Sequence, residues 1–510
     1  MSFKLFRGAK VYRHELGWGK FMDEILIQDG RIAAYGKNRE LSSDLPIGTE
    51  IIDFEGGVLL PAFFDAHLHL DQGGRYLRSL RLLELERKDQ ILEAIRKYPR
   101  DSEWIRGIGL SENAYPTLAE FDSVSKDIPV AIHTRDYHSV ILNSLAIKKS
   151  GLNRNTKFME GGWQEFSENG EPLGILRENA TMWLTDKLPT ETDEDIKNNL
   201  IAGINELISN GVLGASDAGD NASFKVLKQM DESGELNFLI EHWYRCLSFS
   251  DDCLPHTPFM GNKLISNRIK LFLDGALGSH TAWMKEPYSD CPEIELKPVP
   301  NLENLESFVK KAVKKGWGLA VHAIGDEAVE YGTRLVSEHS VNGIENRLEH
   351  IQHVLDSNLV DLRDSSLIKS VQPGHRLADL SMLRKRVGLE RVKSSFPLKS
   401  LKSNNSQVVL GTDWPVITVN PFKTLYAAIV KRKQGEGMMG EELSLEEALL
   451  SMTALPAKVA GFENVGITGK GGIANIIWIG KDPGLDPEEW KNCRAQRVFR
   501  DGIEIKKAAN

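Results

Sequence analysis

The sequence of 510 residues predicts an α/β fold built on a distorted (β/α)8 TIM barrel. Two observations carry this prediction: eight short apolar runs end in polar residues, and helical patterns separate most of these runs. Strands that are continuously apolar and alternate with helices indicate a parallel sheet covered on both faces. The active site of such a barrel lies at the C-terminal ends of its strands, which is where the polar residues of these runs collect.

The eight runs share an apolar body and a polar end. In chain order they cover Val58–His69, Val212–Asp217, Phe238–His242, Ile269–Asp274, Leu319–His322, Arg347–His350, Leu367–His375 and Val408–Asp413. Apolar residues recur at helical spacing over Leu305–Lys315, and Ser444 is suited to cap a helix that begins at Leu445. This alternation indicates eight βα units.

Two regions exceed what a bare barrel needs. About 140 residues lie between His69 and Val212, far more than one βα unit requires, and residues from about 72 to about 205 are expected to form an inserted α+β subdomain. Residues 1–56 and 461–510 contain short strand patterns with Asp-Gly turns, which predict a composite β-sandwich built from both termini. The barrel itself is then expected over residues 57–460.

The composition excludes several classes of protein. Hydrophobic residues make up 41% of the chain and the net charge is −9, which fits a globular protein and argues against nucleic acid as a partner. No apolar run reaches the ~18 residues of a membrane span, and no signal-peptide pattern is present. We therefore expect a small-molecule substrate, no membrane partner, a cytoplasmic location and, as a hypothesis, a homodimer. The four cysteines are expected to be reduced thiols, and they are Cys246, Cys253, Cys291 and Cys493.

A pair of histidines ends the first run. His67 and His69 lie two residues apart on a strand, so both imidazoles point to the same side. With 13 histidines in the chain, chance produces such a pair about once in three sequences, and two ordinary strand histidines explain it equally well. His322, His350 and Asp413 end other runs at the same predicted rim. Imidazole and carboxylate are ligands that Zn²⁺ prefers, so the set together indicates a metal site.

Lys270 lies inside the fourth apolar run, between Ile269 and Leu271. A lysine in an apolar strand is costly unless it is paired or modified. Alternatively, its side chain points outward and brings the amine to solvent. Position alone slightly favours this second interpretation.

The segments around these residues resemble the metal-dependent amidohydrolase superfamily, and within it the YtcJ-like amidohydrolase family 3 branch. The similarity runs in consecutive order from about residue 20 to about residue 480. The matching segments are Pro61–Leu70, Lys270–Ser279, Val321–Asp326, Arg347–Gln352, Gln372–His375, Gly411–Pro415 and, in the insertion, Asp136 and His138 with Asn143 and Ser144. The resemblance implies the same barrel and composite sandwich.

The resemblance also implies a metal centre with one or two divalent ions. In that scheme His67 and His69 bind the more buried ion, and His322 and His350 bind the other. Asp413 is both a ligand and the general base. Lys270 is carboxylated by CO2 to a carbamate that bridges two metals, which removes the cost of its buried charge. Zn²⁺ is the expected ion, with Mn²⁺ and Fe²⁺ left open because their ligand preferences overlap.

The implied reaction is the hydrolysis of a C–N bond in an amide-type substrate, such as an N-substituted formamide or an N-acyl compound. A metal-bound water whose pKa falls towards ~7 supplies hydroxide, and Asp413 takes its proton. One alternative is deamination of a ring or an amidine by the same centre. Another is a catalytically silent scaffold, which would typically have lost metal ligands.

Five further residues are predicted to contact substrate, and they are His375, Asp326, His280, His138 and Asp136. Asp326 is equally suited to cap the helix that follows it. His280 lies where family members vary. Glu349 adjoins His350, and strand alternation predicts that it points to the barrel exterior or to a neighbouring strand.

Overall fold

The structure is a computed structural model, and it describes residues 1–510 apart from short gaps. The residues outside the description are 83–84, 100–102, 112–113, 135–138, 159–161, 178–179, 186, 247–248, 250–252, 256, 365, 403–406, 432–440 and 507–510. The chain separates into two compact units. The first comprises Met1–Leu70 and Ile204–Asn510, and the second comprises Asp71–Gly203, close to the predicted insertion.

Strands and helices alternate through most of the chain. The strands are β1 (Phe3–Val11), β2 (Met22–Gln28), β3 (Arg31–Gly36), β4 (Glu50–Asp53), β5 (Val58–Pro61), β6 (Phe63–Leu68), β7 (Leu80–Arg81), β8 (Ile105–Leu110), β9 (Val130–Thr134), β10 (Ser139–Leu142), β11 (Trp163–Phe166), β12 (Pro172–Arg177), β13 (Val212–Asp217), β14 (Leu239–Arg245), β15 (Phe259–Met260), β16 (Leu264–Phe272), β17 (Gly318–Ala323), β18 (Arg347–His350), β19 (Ile368–Val371), β20 (Gln407–Leu410), β21 (Ile476–Ile479), β22 (Arg497–Arg500) and β23 (Ile503–Glu504). The helices are α1 (Leu70–Arg78), α2 (Lys88–Lys97), α3 (Leu118–Val124), α4 (Ser144–Ser150), α5 (Ala180–Thr185), α6 (Asp193–Ser209), α7 (Asn221–Glu232), α8 (Leu302–Lys314), α9 (Asp326–Glu338), α10 (Asp356–Asp364), α11 (Pro373–Ala378), α12 (Leu380–Arg391), α13 (Pro421–Ile429), α14 (Leu445–Ser451), α15 (Ala454–Val459) and α16 (Pro487–Lys491).

The first unit contains the predicted barrel. Eight parallel strands follow one another in the order β6-β13-β14-β16-β17-β18-β19-β20, and each of the eight predicted runs supplies one of them. The two end strands approach each other just beyond their carboxyl ends. There, Asp413 N donates to His67 O at 2.8 Å and His69 N donates to Trp414 O at 2.8 Å. These bonds nearly close the barrel at the point where three predicted ligands lie.

The first predicted run is two strands rather than one. Strand β5 pairs with β1 and β21 in the terminal sheet, whereas β6 pairs with β13 in the barrel. The backbone changes partners at Ala62, whose N–H donates to Asn475 O, while the next N–H, of Phe63, donates to Gly211 O. Both strands are buried along their whole length, so their hydrophobic pattern does not reveal the change of sheet.

A second sheet in this unit joins both ends of the chain, as the sequence predicts. Its strands run in the order β23-β22-β21-β5-β1-β2-β3, and β4 pairs with β1. An apolar cluster fills its interior. Phe6 packs against Phe54 and Phe499 at ring-centroid distances of 5.5 and 4.7 Å, and Trp478 lies 5.6 Å from Phe54. N-terminal and C-terminal residues therefore share one core, which holds the two termini together.

The helices that the sequence predicts follow from their apolar spacing and caps. Helix α8 buries Leu305 and Phe308, which lie three residues apart on one face, and Asn301 caps its first turn. Helix α14 begins after Ser444, whose side chain and that of Glu447 form a capping box. Both helices begin within a few residues of the predicted positions.

The second unit has a six-stranded mixed sheet of its own, in the order β11-β12-β10-β9-β8-β7. Its apolar residues form a buried cluster that includes Ile91, Phe121 and Ile132. Thr117 and Glu120 form a capping box at the start of α3. This α+β unit is the inserted subdomain that the sequence predicts.

The cysteines depart from the prediction. Cys246 and Cys253 are joined by a disulfide, so the expectation of four reduced thiols was wrong for this pair. Their Cα atoms lie 5.7 Å apart, within the range that a disulfide spans, and sequence spacing alone does not show this approach. Cys291 and Cys493 are free. Among the described residues, the helices are all too short or too polar to traverse a lipid bilayer.

We predict that denatured, unreduced protein exposes two reactive thiols, those of Cys291 and Cys493. Reduction before denaturation should raise the count to four, because the disulfide then opens. A colorimetric thiol assay in denaturant measures both values, and Cys291→Ser should lower each count by one. Four thiols without reductant would show that the Cys246–Cys253 bond does not form.

Candidate metal centre

Three of the predicted ligands meet where the barrel closes. His67 is the next-to-last residue of β6, His69 follows that strand, and Asp413 follows β20. One ligand atom from each residue lies within 4.8 Å of the others. Asp413 Oδ1 lies 3.2 Å from His69 Nε2 and 3.7 Å from His67 Nε2. Two imidazoles and one carboxylate at these distances fit the coordination sphere of one borderline divalent cation.

Two more predicted histidines adjoin this group. His350 ends β18, and its ring centroid lies 4.8 Å from that of His67 and 4.4 Å from that of His322, which lies on β17. The structure therefore brings the four histidines and Asp413 into one continuous cluster at the carboxyl ends of β6, β17, β18 and β20.

Lys270 points into the barrel, so its outward-pointing interpretation was wrong. The residue is 1% exposed, and its Nζ lies 5.2 Å from the ring centroids of both Trp243 and Phe272. The Trp243 ring is in turn 5.1 Å from that of His67. The amine thus lies close to the histidine cluster.

Several buried polar atoms of this cluster have no hydrogen-bond partner among the residues that the structure describes. They are His67 Nε2, His350 Nδ1, Asp413 Oδ1 and Lys270 Nζ. Buried polar atoms are nearly always partnered, because leaving one unsatisfied costs about 1–3 kcal/mol. Lone pairs on imidazole nitrogen and carboxylate oxygen that converge without donors are suited to a cation, so the donor set fits a metal ion.

The other nitrogen of three imidazoles is held by the protein. His69 Nδ1 lies 3.0 Å from Ala218 O, and His322 Nε2 lies 3.0 Å from Gly275 O. His67 Nδ1 lies 2.6 Å from Glu349 Oε2. A carbonyl or carboxylate accepts the N–H at each of these positions, which fixes the tautomer and leaves the remaining nitrogen free to bind a metal.

Glu349 corrects the sequence-based prediction, which directed it away from the site. It is fully buried and points into the barrel, on the same face of β18 as Arg347. His350 also reaches the site because its backbone is left-handed, with φ of 75°, so the alternation of side chains breaks at the end of the strand. The charged pair Arg347 and Glu349, two residues apart in a buried strand, was the available signal.

Arg347 is the centre of a polar network inside the barrel. Its guanidinium donates to Glu349 Oε1 at 2.8 Å, to Glu241 Oε2 at 3.2 Å and to Ala66 O at 2.7 Å. It also lies 4.5 Å from the centroid of the Trp243 ring. These contacts link β6, β14 and β18 below the histidine cluster.

Burial sets the protonation of this cluster. Desolvation, aided by the charge of Lys270, lowers the pKa of His67 to about 4 and that of His322 to about 3. Both imidazoles are therefore neutral near pH 7, as metal ligands must be. Burial opposes ionisation of Glu349, but the charge of Arg347 and the His67 hydrogen bond outweigh it and hold the pKa of Glu349 far below its usual value.

Asp65 is a second residue that the sequence-based prediction missed. Its carboxylate accepts from Thr412 Oγ1 at 2.6 Å, from Thr412 N at 2.9 Å and from His67 N at 3.1 Å. Because Thr412 precedes Asp413, one side chain fixes both ligand-bearing segments. An aspartate two residues before His67 in a wholly buried strand was the signal for it.

His375 reaches the centre through Asp413. Its Nε2 lies 3.0 Å from Asp413 Oδ2, and its Nδ1 lies 3.1 Å from Asp379 Oδ2. Burial lowers the pKa of His375, but the two carboxylates outweigh it and raise that pKa to about 9. The imidazole thus carries a proton between two carboxylates, rather than standing free at the rim.

The other predicted substrate contacts are engaged elsewhere or are not described. Asp326 Oδ1 accepts from the backbone N–H of Lys285 at 2.8 Å and of Glu327 at 3.0 Å. His280 Nε2 lies 3.2 Å from Asp290 Oδ1. These contacts anchor loops, and a substrate role for either residue stays a prediction. Asp136 and His138 lie outside the described residues.

Comparisons with a family model and with known proteins both indicate the amidohydrolase family. Residues 50–502 of this chain match the sequence model of the amidohydrolase family. The chain is 28% identical over 490 residues to the protein LONG AFTER FAR-RED 3 of Arabidopsis thaliana, a match covering 90% of this chain and 84% of that protein. It is 30% identical over 458 residues to the "Putative amidohydrolase YtcJ" of Bacillus subtilis (strain 168), covering 85% of this chain and 84% of that protein.

Two further similarities concern an enzyme and a solved structure. The chain is 24% identical over 524 residues to the N-substituted formamide deformylase of Arthrobacter pascens, with 94% of each protein covered. The crystal structure of an uncharacterized metal-dependent hydrolase from Pyrococcus furiosus aligns with a TM-score of 0.78 at 28% identity. That alignment covers 94% of this chain and 99% of the solved chain.

We predict that Glu349→Gln weakens metal binding about 10–100-fold, because an amide accepts the His67 N–H less strongly than a carboxylate. Competition with a chromophoric chelator measures the affinity. Glu345→Gln, at an exposed position just before the same strand, is the matched control and should leave affinity unchanged. Circular dichroism must show that the variant is folded, since Arg347 loses a charged partner. A folded Glu349→Gln protein with unaltered affinity would contradict the orienting role.

Proposed function

Because this chain belongs to the amidohydrolase family, we propose that it is a metal-dependent hydrolase that cleaves the C–N bond of an amide-type small molecule. The observation that carries the proposal is the set of convergent buried donor atoms without partners, on His67, His350 and Asp413. N-substituted formamides and N-acyl compounds are the substrate classes we favour. The relative named N-substituted formamide deformylase supports the first of them.

The metal ligands in this proposal are those the sequence indicates. His67, His69 and Asp413 hold one ion, and His322 and His350 extend the site to a second. A bound Zn²⁺, Mn²⁺ or Fe²⁺ supplies a Lewis acid and lowers the pKa of a coordinated water. The donor set of imidazole and carboxylate suits all three ions.

Lys270 is proposed to be carboxylated. Its amine is buried, finds no hydrogen-bond partner in the described part of the chain and lies against two aromatic rings close to the ligand cluster. Addition of CO2 to the neutral amine with loss of a proton forms a carbamate, which replaces a cation that would repel metal ions with an anion that binds them. This change accounts for a lysine at a position where an unpaired ammonium is costly.

Asp413 is the general base in this proposal. Its Oδ1 faces His67 and His69, while its Oδ2 is held by His375. In this proposal the Asp413 carboxylate takes a proton from the attacking water and passes it to the departing nitrogen. Asp379, on the far side of His375, fixes the imidazole and so the orientation of the base.

Two alternatives make different demands. A deaminase would use the same residues but release ammonia from a ring or amidine carbon. A silent scaffold would bind no metal, whereas all six proposed ligands are retained in this chain. An activity screen over N-formyl, N-acyl, cyclic amide and amidine compounds, with ammonia assayed separately, distinguishes the three.

We expect protein purified without chelators to carry at least one equivalent of divalent metal, measured by plasma mass spectrometry. Dialysis against a chelator should abolish amide hydrolysis, and added Zn²⁺, Mn²⁺ or Fe²⁺ should restore it. Metal content well below one equivalent in a preparation that still turns over substrate would overturn the metal-dependent mechanism.

Asp413→Asn should lower kcat about 10²–10⁴-fold with a much smaller change in KM, because the amide cannot accept the proton. Metal content measured on the same sample separates loss of the base from loss of the ion. Asp356→Asn, at the exposed start of α10, is the matched control and should retain full activity. Undiminished turnover in Asp413→Asn would exclude this residue as the base.

A further inference from the structure

Arg245 is the last residue of β14 and lies on the same face of the strand as Trp243, two residues before it. Because the Trp243 ring adjoins His67 and Lys270, this face points into the barrel. Arg245 lies one step nearer to the carboxyl end of the strand. Its guanidinium carbon is 5.1 Å from the Phe272 ring centroid, and the Phe272 ring is 5.4 Å from that of His322. The Phe272 ring therefore lies beside both this cation and a predicted metal ligand.

The guanidinium of Arg245 lacks a counter-ion among the described residues. Its Nε is buried without a hydrogen-bond partner, and none of the described carboxylates pairs with it. Its backbone is nevertheless fixed on both sides: Arg245 N donates to Asn221 Oδ1 at 3.0 Å, and Asn221 Nδ2 donates to Arg245 O at 2.9 Å. The disulfide of Cys246 follows immediately. The backbone of Arg245 is thus fixed, whereas its guanidinium pairs with no carboxylate among the described residues.

The other arginines inside this barrel show that the fold normally pairs such groups. Arg268 pairs with Glu241, and Arg347 pairs with both Glu241 and Glu349. Burying part of a cation without a counter-ion is unfavourable, since desolvation is then not compensated. Packing against Phe272 offsets only part of that cost, about 0.5–2 kcal/mol for a cation–π contact. The missing partner is therefore expected to arrive with a ligand.

We propose that Arg245 binds a carboxylate of the substrate, so that this hydrolase acts on N-formyl or N-acyl amino acids. The inference rests on the proposed amide hydrolysis and adds the charge of the substrate to it. A guanidinium matches a carboxylate through two parallel N–H···O bonds. A carboxylate on Arg245 and a scissile amide at the metal centre would both lie beside Phe272, as the short span of an amino acid requires.

Twin substrates test the proposal, because they share the scissile bond and differ only in the anionic group. N-formylleucine carries the carboxylate, and N-formylleucinol replaces it with a neutral alcohol. Wild-type enzyme should prefer the acid at least tenfold in kcat/KM, and Arg245→Gln should bring that ratio close to one, mainly through KM for the acid. Arg245→Lys, which keeps the charge but not the planar fork, should retain an intermediate preference.

Arg334→Gln is the matched control. Arg334 also stacks on an aromatic ring, with its guanidinium carbon 4.9 Å from the Tyr331 centroid, but it is exposed on α9. It should keep the wild-type ratio. If wild type hydrolyses both twins and Arg245→Gln leaves the ratio unchanged, the carboxylate site is refuted while amide hydrolysis stands.

Ligand-induced thermal stabilisation covers the case in which neither twin is hydrolysed. That result counts against the proposed function for these compounds, yet binding still tests Arg245. N-formylleucine should raise the Tm of the metal-loaded protein, whereas N-formylleucinol should not, and Arg245→Gln should remove the difference. Equal stabilisation by both compounds, or none by the acid, would overturn the proposal.

Discussion

Arg347 connects the interior of the barrel to the candidate metal centre. Its guanidinium binds the carboxylates of Glu349 and Glu241 and a carbonyl of β6, so it fixes three strands at once. Glu349 then accepts the Nδ1 proton of His67. Without the charge of Arg347, burial would favour a protonated Glu349, which accepts the His67 N–H less strongly than a carboxylate does. The orientation of a predicted ligand therefore depends on a buried ion pair that cannot contact a metal itself.

A barrel filled only by aliphatic residues would avoid the cost of burying these charges. Ion pairs of this kind often contribute little net stability, because desolvation offsets their attraction. Here these ion pairs fix the orientation of the side chains. Arg347 and Glu349 allow one arrangement of hydrogen-bond donors and acceptors, whereas apolar side chains would allow several. Asp65 acts similarly at the barrel closure, where it binds Thr412 and the His67 backbone. Burying the Arg347–Glu349 pair and Asp65 costs free energy of folding, and in both cases the contacts formed fix the position of His67.

Most of what could be predicted about the barrel and its site came from the residues at the ends of the apolar runs. Eight apolar runs, among them those ending in His69, His322, His350 and Asp413, identified the eight barrel strands, because burial and chain direction leave a repeated local pattern. Glu349 was misplaced because alternation assumes an extended backbone, and the left-handed His350 violates it. The change of sheet at Ala62 was missed for a related reason. Both strands there are buried, and only the hydrogen-bond partners differ, which are distant in sequence.

The left-handed residues also explain why the ligands converge. His350 is the last residue of β18 and Asp413 lies just beyond β20, and their φ values are 75° and 58°. Histidine and aspartate adopt this conformation more readily than β-branched residues do, but still at some cost. In return, each strand presents a side chain above its last regular position, across the mouth of the barrel. Since Asp413 is also held by His375 and by backbone bonds to β6, the surrounding contacts maintain a backbone that a free loop would relax.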